Sequence, residues 1–156
     1  MTGYKAYQGN QVEGAGPLGL VLLTYDALYK SLGRARLASE SGDIGMEANQ
    51  TGIALEALIE LSSSLNMEAG GDIAVDLARL YAYMMRRLSD EMYSGSTQAL
   101  TEVMSLVQTL REGWQQLDQS AAAQSSTAAQ VASEAPVAPR MAIAGGLSSP
   151  AMAYGL

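Results

Sequence analysis

Apolar side chains recur along most of this chain at intervals of three and four residues, and glycine-bearing turns interrupt the pattern. That interval places side chains on one face of an α-helix. The first run follows Pro17 and comprises Leu18, Val21, Leu22, Tyr25, Leu28, Tyr29 and Leu32. Proline suits a first helical turn, where its missing N–H costs nothing. Ser41-Gly42-Asp43 closes this helix, and the second is predicted from about Met46 to Leu65. Its buried side is read through Leu55, Leu58, Ile59 and Leu65, with Ala54 and Leu61 as a neighbouring stripe and Glu56 and Glu60 facing outward.

Gly70-Gly71 breaks the chain next, and Asp72 stands where a carboxylate can cap a helix or favour its positive end. The third helix then carries Ile73, Leu77, Leu80, Tyr81, Met84 and Leu88 on one face. Tyr81 and Tyr83, two apart on that helix, cannot both be core, and Tyr83 is read as the surface or groove residue. After a Ser94-Gly95-Ser96-Thr97 turn with a capping residue, Leu100, Val103, Val107, Leu110, Trp114 and Leu117 form a regular seam of left-handed helix packing. Four long helices with short connections predict an all-α fold, an antiparallel up-down bundle. Beyond about Ser120 the sequence turns to Ala, Ser, Gln, Pro and Gly, too poor in large apolar groups to offset chain entropy. The predicted organisation is an N-terminal strap over 1–16, a four-helix domain over 17–118 and a disordered tail over 119–156, whose Ala-rich start can prolong the last helix.

Composition narrows the chemistry. The 156 residues contain no Cys and no His and carry a net charge of −7. No disulfide framework is available, and a phosphate backbone is repelled on average, so no nucleic-acid partner is expected. The longest strongly apolar run, Pro17–Tyr25, is too short to span a bilayer, and the first residues, MTGYKAYQGNQV, show no secretory signal. A soluble, cytoplasmic protein without stable membrane insertion is the expectation. Ser-His-Asp triads and Glu-x-x-His di-iron sites both need histidine, so no catalytic residue, metal site or cofactor is assigned and the chain is read as not an enzyme. Gly14-Ala15-Gly16-Pro17-Leu18-Gly19 fits the letters of a dinucleotide fingerprint but lacks the preceding apolar strand that the fingerprint requires.

What remains is apolar surface. Leu18, Leu20, Val21, Leu22 and Leu23 cover a wider arc of the first helix than one core stripe needs. The excess is read as part of a groove that accepts an amphipathic partner helix, with nine Met residues adding adaptable surface.

Several elements together resemble the FliS family of flagellar secretion chaperones. They are Lys5-Ala6-Tyr7, Pro17 with Leu20 and Tyr25-Asp26, Gly42-Asp43-Ile44, the stretch Gly70–Leu88 with its Leu80-Tyr81-Ala82-Tyr83-Met84-Met85-Arg86-Arg87-Leu88, and Leu110-Arg111-Glu112-x-Trp114. The resemblance implies an export chaperone that binds the C-terminal helical region of flagellin, prevents premature polymerisation and delivers it to the flagellar type III export gate. It implies two partners, flagellin and an export-gate protein. Leu20, Leu23, Tyr25, Ala27, Tyr83 and Arg87 become the candidate client groove, and Tyr4, Tyr7 and Val12 a strap that covers part of it and engages the gate. The alternative is a self-assembling or adaptor bundle for another secretion substrate, and a homodimer in the absence of client would use the same apolar face. The chain departs from the family pattern at Gly14-Ala15-Gly16-Pro17, where Thr-Ala-Ser-Pro is usual, and at Tyr25-Asp26-Ala27, where glycine is usual in third place.

Overall fold

A computed structural model describes the backbone of residues 2–131 and 153–155, and the side chains of residues 16–123 and 153–155. Four helices follow in order: α1 (Thr2–Ser41), α2 (Ile44–Ser63), α3 (Met67–Glu91) and α4 (Gln98–Val131). Contacts run α1 to α2, α2 to α3, α3 to α4 and α4 back to α1, which closes an antiparallel up-down bundle. Among the described residues, no helix is long and apolar enough to cross a membrane.

Each turn is built by short-range hydrogen bonds. Gly42, at φ 77°, ends α1 in a left-handed conformation, and the Asp43 and Gly42 N–H groups return to the Ala38 and Ser39 carbonyls at 2.8 and 3.2 Å, a glycine-closed helix end. The Asp43 carboxylate then accepts from the Met46 N–H at 3.0 Å and starts α2. Asn66, rather than Asp72, caps α3, accepting from the Ala69 N–H at 2.9 Å. One helical turn precedes the expected break, because Gly71 takes φ 51° and ψ −130° and kinks the helix there. At the third turn the Ser96 hydroxyl accepts from the Gln98 N–H, while Glu91 of α3 reaches across to accept from the Ala99 N–H at 2.9 Å.

Pro17 opens a helix as expected, but helical backbone also precedes it from Thr2, and a kink at Gly16 separates the two stretches. Gly16 adopts φ 68° and ψ 178°, a conformation a side chain disfavours. The departure from Thr-Ala-Ser-Pro therefore has a structural effect, in that glycine lets the chain change direction at this point. It also settles the glycine-rich letters around it, which lie in a helix-to-helix break and not between a strand and a helix.

The core contains Tyr25, Leu28 and Leu32 of α1, Leu58 and Leu61 of α2, Tyr81, Met84 and Leu88 of α3, and Leu100, Val103, Val107 and Trp114 of α4. These largely match the expected faces of α1, α3 and α4. Helix α2 differs: its buried side runs through Glu47, Gln50, Thr51, Ala54, Ala57, Leu58 and Leu61, and Ile59 is 56% exposed. Of the expected face only Ile59 turns outward, since Ala54, Leu58 and Leu61 are buried and Leu55 and Leu65 partly so, while Glu47, Gln50 and Thr51 add polar side chains to the same side. Beyond Leu117, α4 continues through the Ala-rich stretch to Val131, the prolongation that composition allowed.

Candidate functional site

Helices α3 and α4 make the least extensive contact in the ring, and an open groove of about 290 Å³ lies between them. Ile73, Asp76, Leu77 and Leu80 line it from α3, and Thr109, Leu110, Gly113 and Trp114 from α4. Ile73, Leu80 and Leu110 are only partly buried although they pack against the core. These three occupy expected core positions, so the helices carry a complete apolar seam that they do not fully close. At Gly113 an added Cβ meets nothing within 4 Å. The groove therefore offers hydrophobic area with a single acidic group, Asp76, at its side, the chemistry that receives apolar side chains of a partner helix.

At the end of the bundle where α2 finishes and α3 begins, the groove meets a cluster of rings. Tyr25 and Trp114 stand with ring centroids 6.4 Å apart and planes inclined by 46°. The Tyr25 and Tyr81 hydroxyls are 2.6 Å apart, and those of Tyr81 and Tyr154 are 2.7 Å apart. The Tyr154 hydroxyl donates to the Leu61 carbonyl at 3.1 Å. Burial pushes all three phenols above the ordinary value of 10.0. Beside this cluster Asp26 forms an ion pair with Arg111. The sequence elements Tyr25-Asp26, Leu80-Tyr81 and Arg111-Glu112-x-Trp114 are thus in mutual contact.

The expected groove residues divide. Leu20 is 37% exposed, and Leu23 and Ala27 are half-buried on the same helix. These three remain able to meet a partner. Tyr25 corrects its assignment: it is fully buried with its hydroxyl bonded inside the bundle, so it supports this surface from beneath without lining it. Tyr83 and Arg87 lie apart from Leu20 and Leu23, toward the α3–α4 turn. Tyr83 donates to Glu102 of α4, and Arg87 bonds Glu102 at 2.9 Å and Glu91 at 2.6 Å. Hydrogen bonds from Arg87 and from the Ala99 N–H hold the Glu91 carboxyl below the usual carboxylate range. Those from Tyr83 and Arg87 do the same for Glu102, while the two carboxylates raise Arg87 further. The arrangement is a clasp across the α3–α4 turn. The side chains of Tyr4, Tyr7 and Val12 lie outside the described residues.

Periodicity missed two features of the site. The groove itself was invisible because Ile73, Leu80 and Leu110 have the spacing of closed core positions. Tyr154 was missed because it falls in the Ala/Ser/Pro/Gly-rich stretch, where its one signal is an aromatic residue beside a glycine.

Comparison with known proteins agrees with this architecture. Residues 1–121 match the profile of the family described as flagellar protein FliS. The chain is 35% identical to the flagellar secretion chaperone FliS of Salmonella typhimurium over 130 residues, covering 80% of this chain and 96% of that protein. It is 35% identical to the flagellar secretion chaperone FliSB of Pseudomonas aeruginosa, covering 67% and 82%, and 32% identical to the FliS of Bacillus subtilis, covering 75% and 86%. With its ring-packed bundle and its family elements joined around Trp114, this chain belongs to the FliS family of flagellar secretion chaperones.

Proposed function

We propose that the client is flagellin: the bundle binds the C-terminal helical segment of flagellin, keeps it from assembling early and delivers it to the flagellar export gate. Family membership supports a secretion chaperone, and the observation that carries the choice of client chemistry is the open α3–α4 groove. An amphipathic helix that self-assembles by its apolar face needs a substitute apolar surface, and a groove supplies one without a covalent step. Leu20, Leu23 and Ala27 on α1 extend the contact, and Tyr83 and Arg87 stand at its far margin. Tyr4, Tyr7 and Val12 are proposed to reach the export gate. The site is cytoplasmic on this reading, because a client must be met before export.

Isothermal titration calorimetry with the C-terminal segment of flagellin tests the proposal. A saturable one-to-one complex is expected, formed by a chain that is monomeric by light scattering. A folded chain that gives no binding, or a stable homodimer indifferent to the segment, would point to the self-assembling bundle.

A further inference from the structure

Residues 153–155 are held against the bundle by contacts with three helices. Ala153 is fully buried, and its carbonyl accepts from the Asn66 N–H. Tyr154 places its hydroxyl between Tyr81 and the Leu61 carbonyl, and its ring meets Trp114 edge-on, at 5.6 Å and 61°. Gly70 makes room for this approach, since a Cβ there would fall 2.5 Å from the Ala153 Cα. Gly155, at φ 76°, takes a left-handed conformation that suits glycine. The seat is specific in shape and in hydrogen bonding, and its occupant is a three-residue word of this chain.

We infer that Ala153-Tyr154-Gly155 is an intramolecular latch that competes with the client, seated at the α2–α3 junction and closed through Trp114. The inference rests on the groove being the client site, because Trp114 is the wall shared by seat and groove. With Tyr154 in place, Trp114 is 3% exposed and braced on both sides by tyrosine rings. A client helix entering the groove pushes on that wall. Moving Trp114 breaks its contact with Tyr154, so client entry and latch seating oppose each other. A seat closed nine times in ten lowers apparent client affinity by about tenfold, the inverse of the open fraction.

The chain's single Trp reports on the seat directly. In the full chain, Tyr154→Ala is expected to shift Trp114 fluorescence to longer wavelength with the helical circular dichroism unchanged, and to tighten binding of the flagellin segment by about tenfold. A synthetic peptide of residues 149–156 added to that variant should restore both the emission and the weaker client affinity, and the same peptide with Ala in place of Tyr should not. Tyr154→Phe keeps the ring against Trp114 and loses the hydroxyl, so it should retain the emission and fall between the other two in affinity. Unchanged Trp emission in Tyr154→Ala, with no binding of the peptide, overturns the latch whatever flagellin does. Peptide binding combined with equal client affinity in all three chains overturns the competition. Absence of flagellin binding in every chain overturns the choice of client, and the peptide titration then decides the latch alone.

Discussion

The α1–α2 side and the α3–α4 side of this bundle are built from the same kind of apolar periodicity and end differently. Between α1 and α2, the most extensive pair, Ala35, Ala38, Ala54 and Ala57 are all buried, and small side chains let two backbones approach closely. Between α3 and α4, Leu80, Leu110 and Ile73 hold their places in the seam but stay partly open. The clasp of Arg87 with Glu91 and Glu102 ties one end of that pair, and the ring cluster around Trp114 fills the other. The contrast shows that an amphipathic face need not be matched by its neighbour in the fold. One side supplies stability and the other leaves apolar area for a partner.

The largest effect should come from the closed side. Leu32→Ala removes a fully buried side chain and is expected to lower unfolding free energy by about 2–5 kcal/mol, whereas Leu80→Ala, at the open groove, should cost less than about 1.5 kcal/mol because part of that side chain is already wet. Urea denaturation measures both, and equal losses would erase the distinction between the two sides. Next, Leu20→Glu or Leu23→Glu should weaken binding of the flagellin segment by at least about tenfold, or about 1.4 kcal/mol, while the variants melt as cooperatively as the parent. Normal binding by both would remove α1 from the client surface.

Gly113 gives a smaller effect of opposite sign. Its place inside α4 with open space where a Cβ would go predicts that Gly113→Ala stabilises the fold by about 0.5–1 kcal/mol, and that Gly113→Met keeps the fold and weakens client binding by filling the groove. A loss of stability in the alanine variant would show that Gly113 serves a conformation that a side chain cannot adopt.

The clasp should give the smallest effect, visible as pH dependence. Glu91 and Glu102 have lowered folded-state pKa values, so their stabilisation is fully present above the unfolded carboxylate value of about 4.3 and is lost as pH falls through the folded value. The stability gap between parent and Glu102→Gln should be widest near neutrality and close on acidification, and a gap independent of pH would remove the charge from the explanation. For the tyrosines the sign reverses. Tyr25, Tyr81 and Tyr154 have raised values, so their contribution holds below 10 and is lost as pH rises further. Ultraviolet difference absorption should show a late group of phenols that ionises only as the helical signal falls.

Much of the fold was legible because large apolar residues at three and four spacing mark α1, α3 and α4 without ambiguity. The buried side of α2 was less so, since Glu47, Gln50 and Thr51 are buried there and carry no apolar signal. The exposure of Leu20 was legible as excess apolar arc, and the place of Tyr83 outside the core as a consequence of its spacing from Tyr81. Tyr25 was legible as part of the apolar face of α1 and is buried there, whereas the partners of its hydroxyl, 56 positions away and beyond, carry no local signal. The seat of Tyr154 could not be foreseen, as no local pattern signals a contact between residue 154 and residues 61, 66, 70, 81 and 114. The elements that carry the family resemblance are mostly those that meet in the core, so they report the architecture more directly than the client surface.

The row of hydroxyls at the bundle's end has a fixed polarity. A carbonyl oxygen can only accept, so Leu61 at one end leaves the protons along the row one arrangement. Tyr154 gives its proton to Leu61, Tyr81 gives its own to Tyr154, and Tyr25 gives its own to Tyr81. Each bond polarises the next in the same sense, which strengthens the whole row. When Tyr154 withdraws, the Tyr81 proton loses its acceptor and the row loses its direction, so a departure at residue 154 is felt as far away as Tyr25.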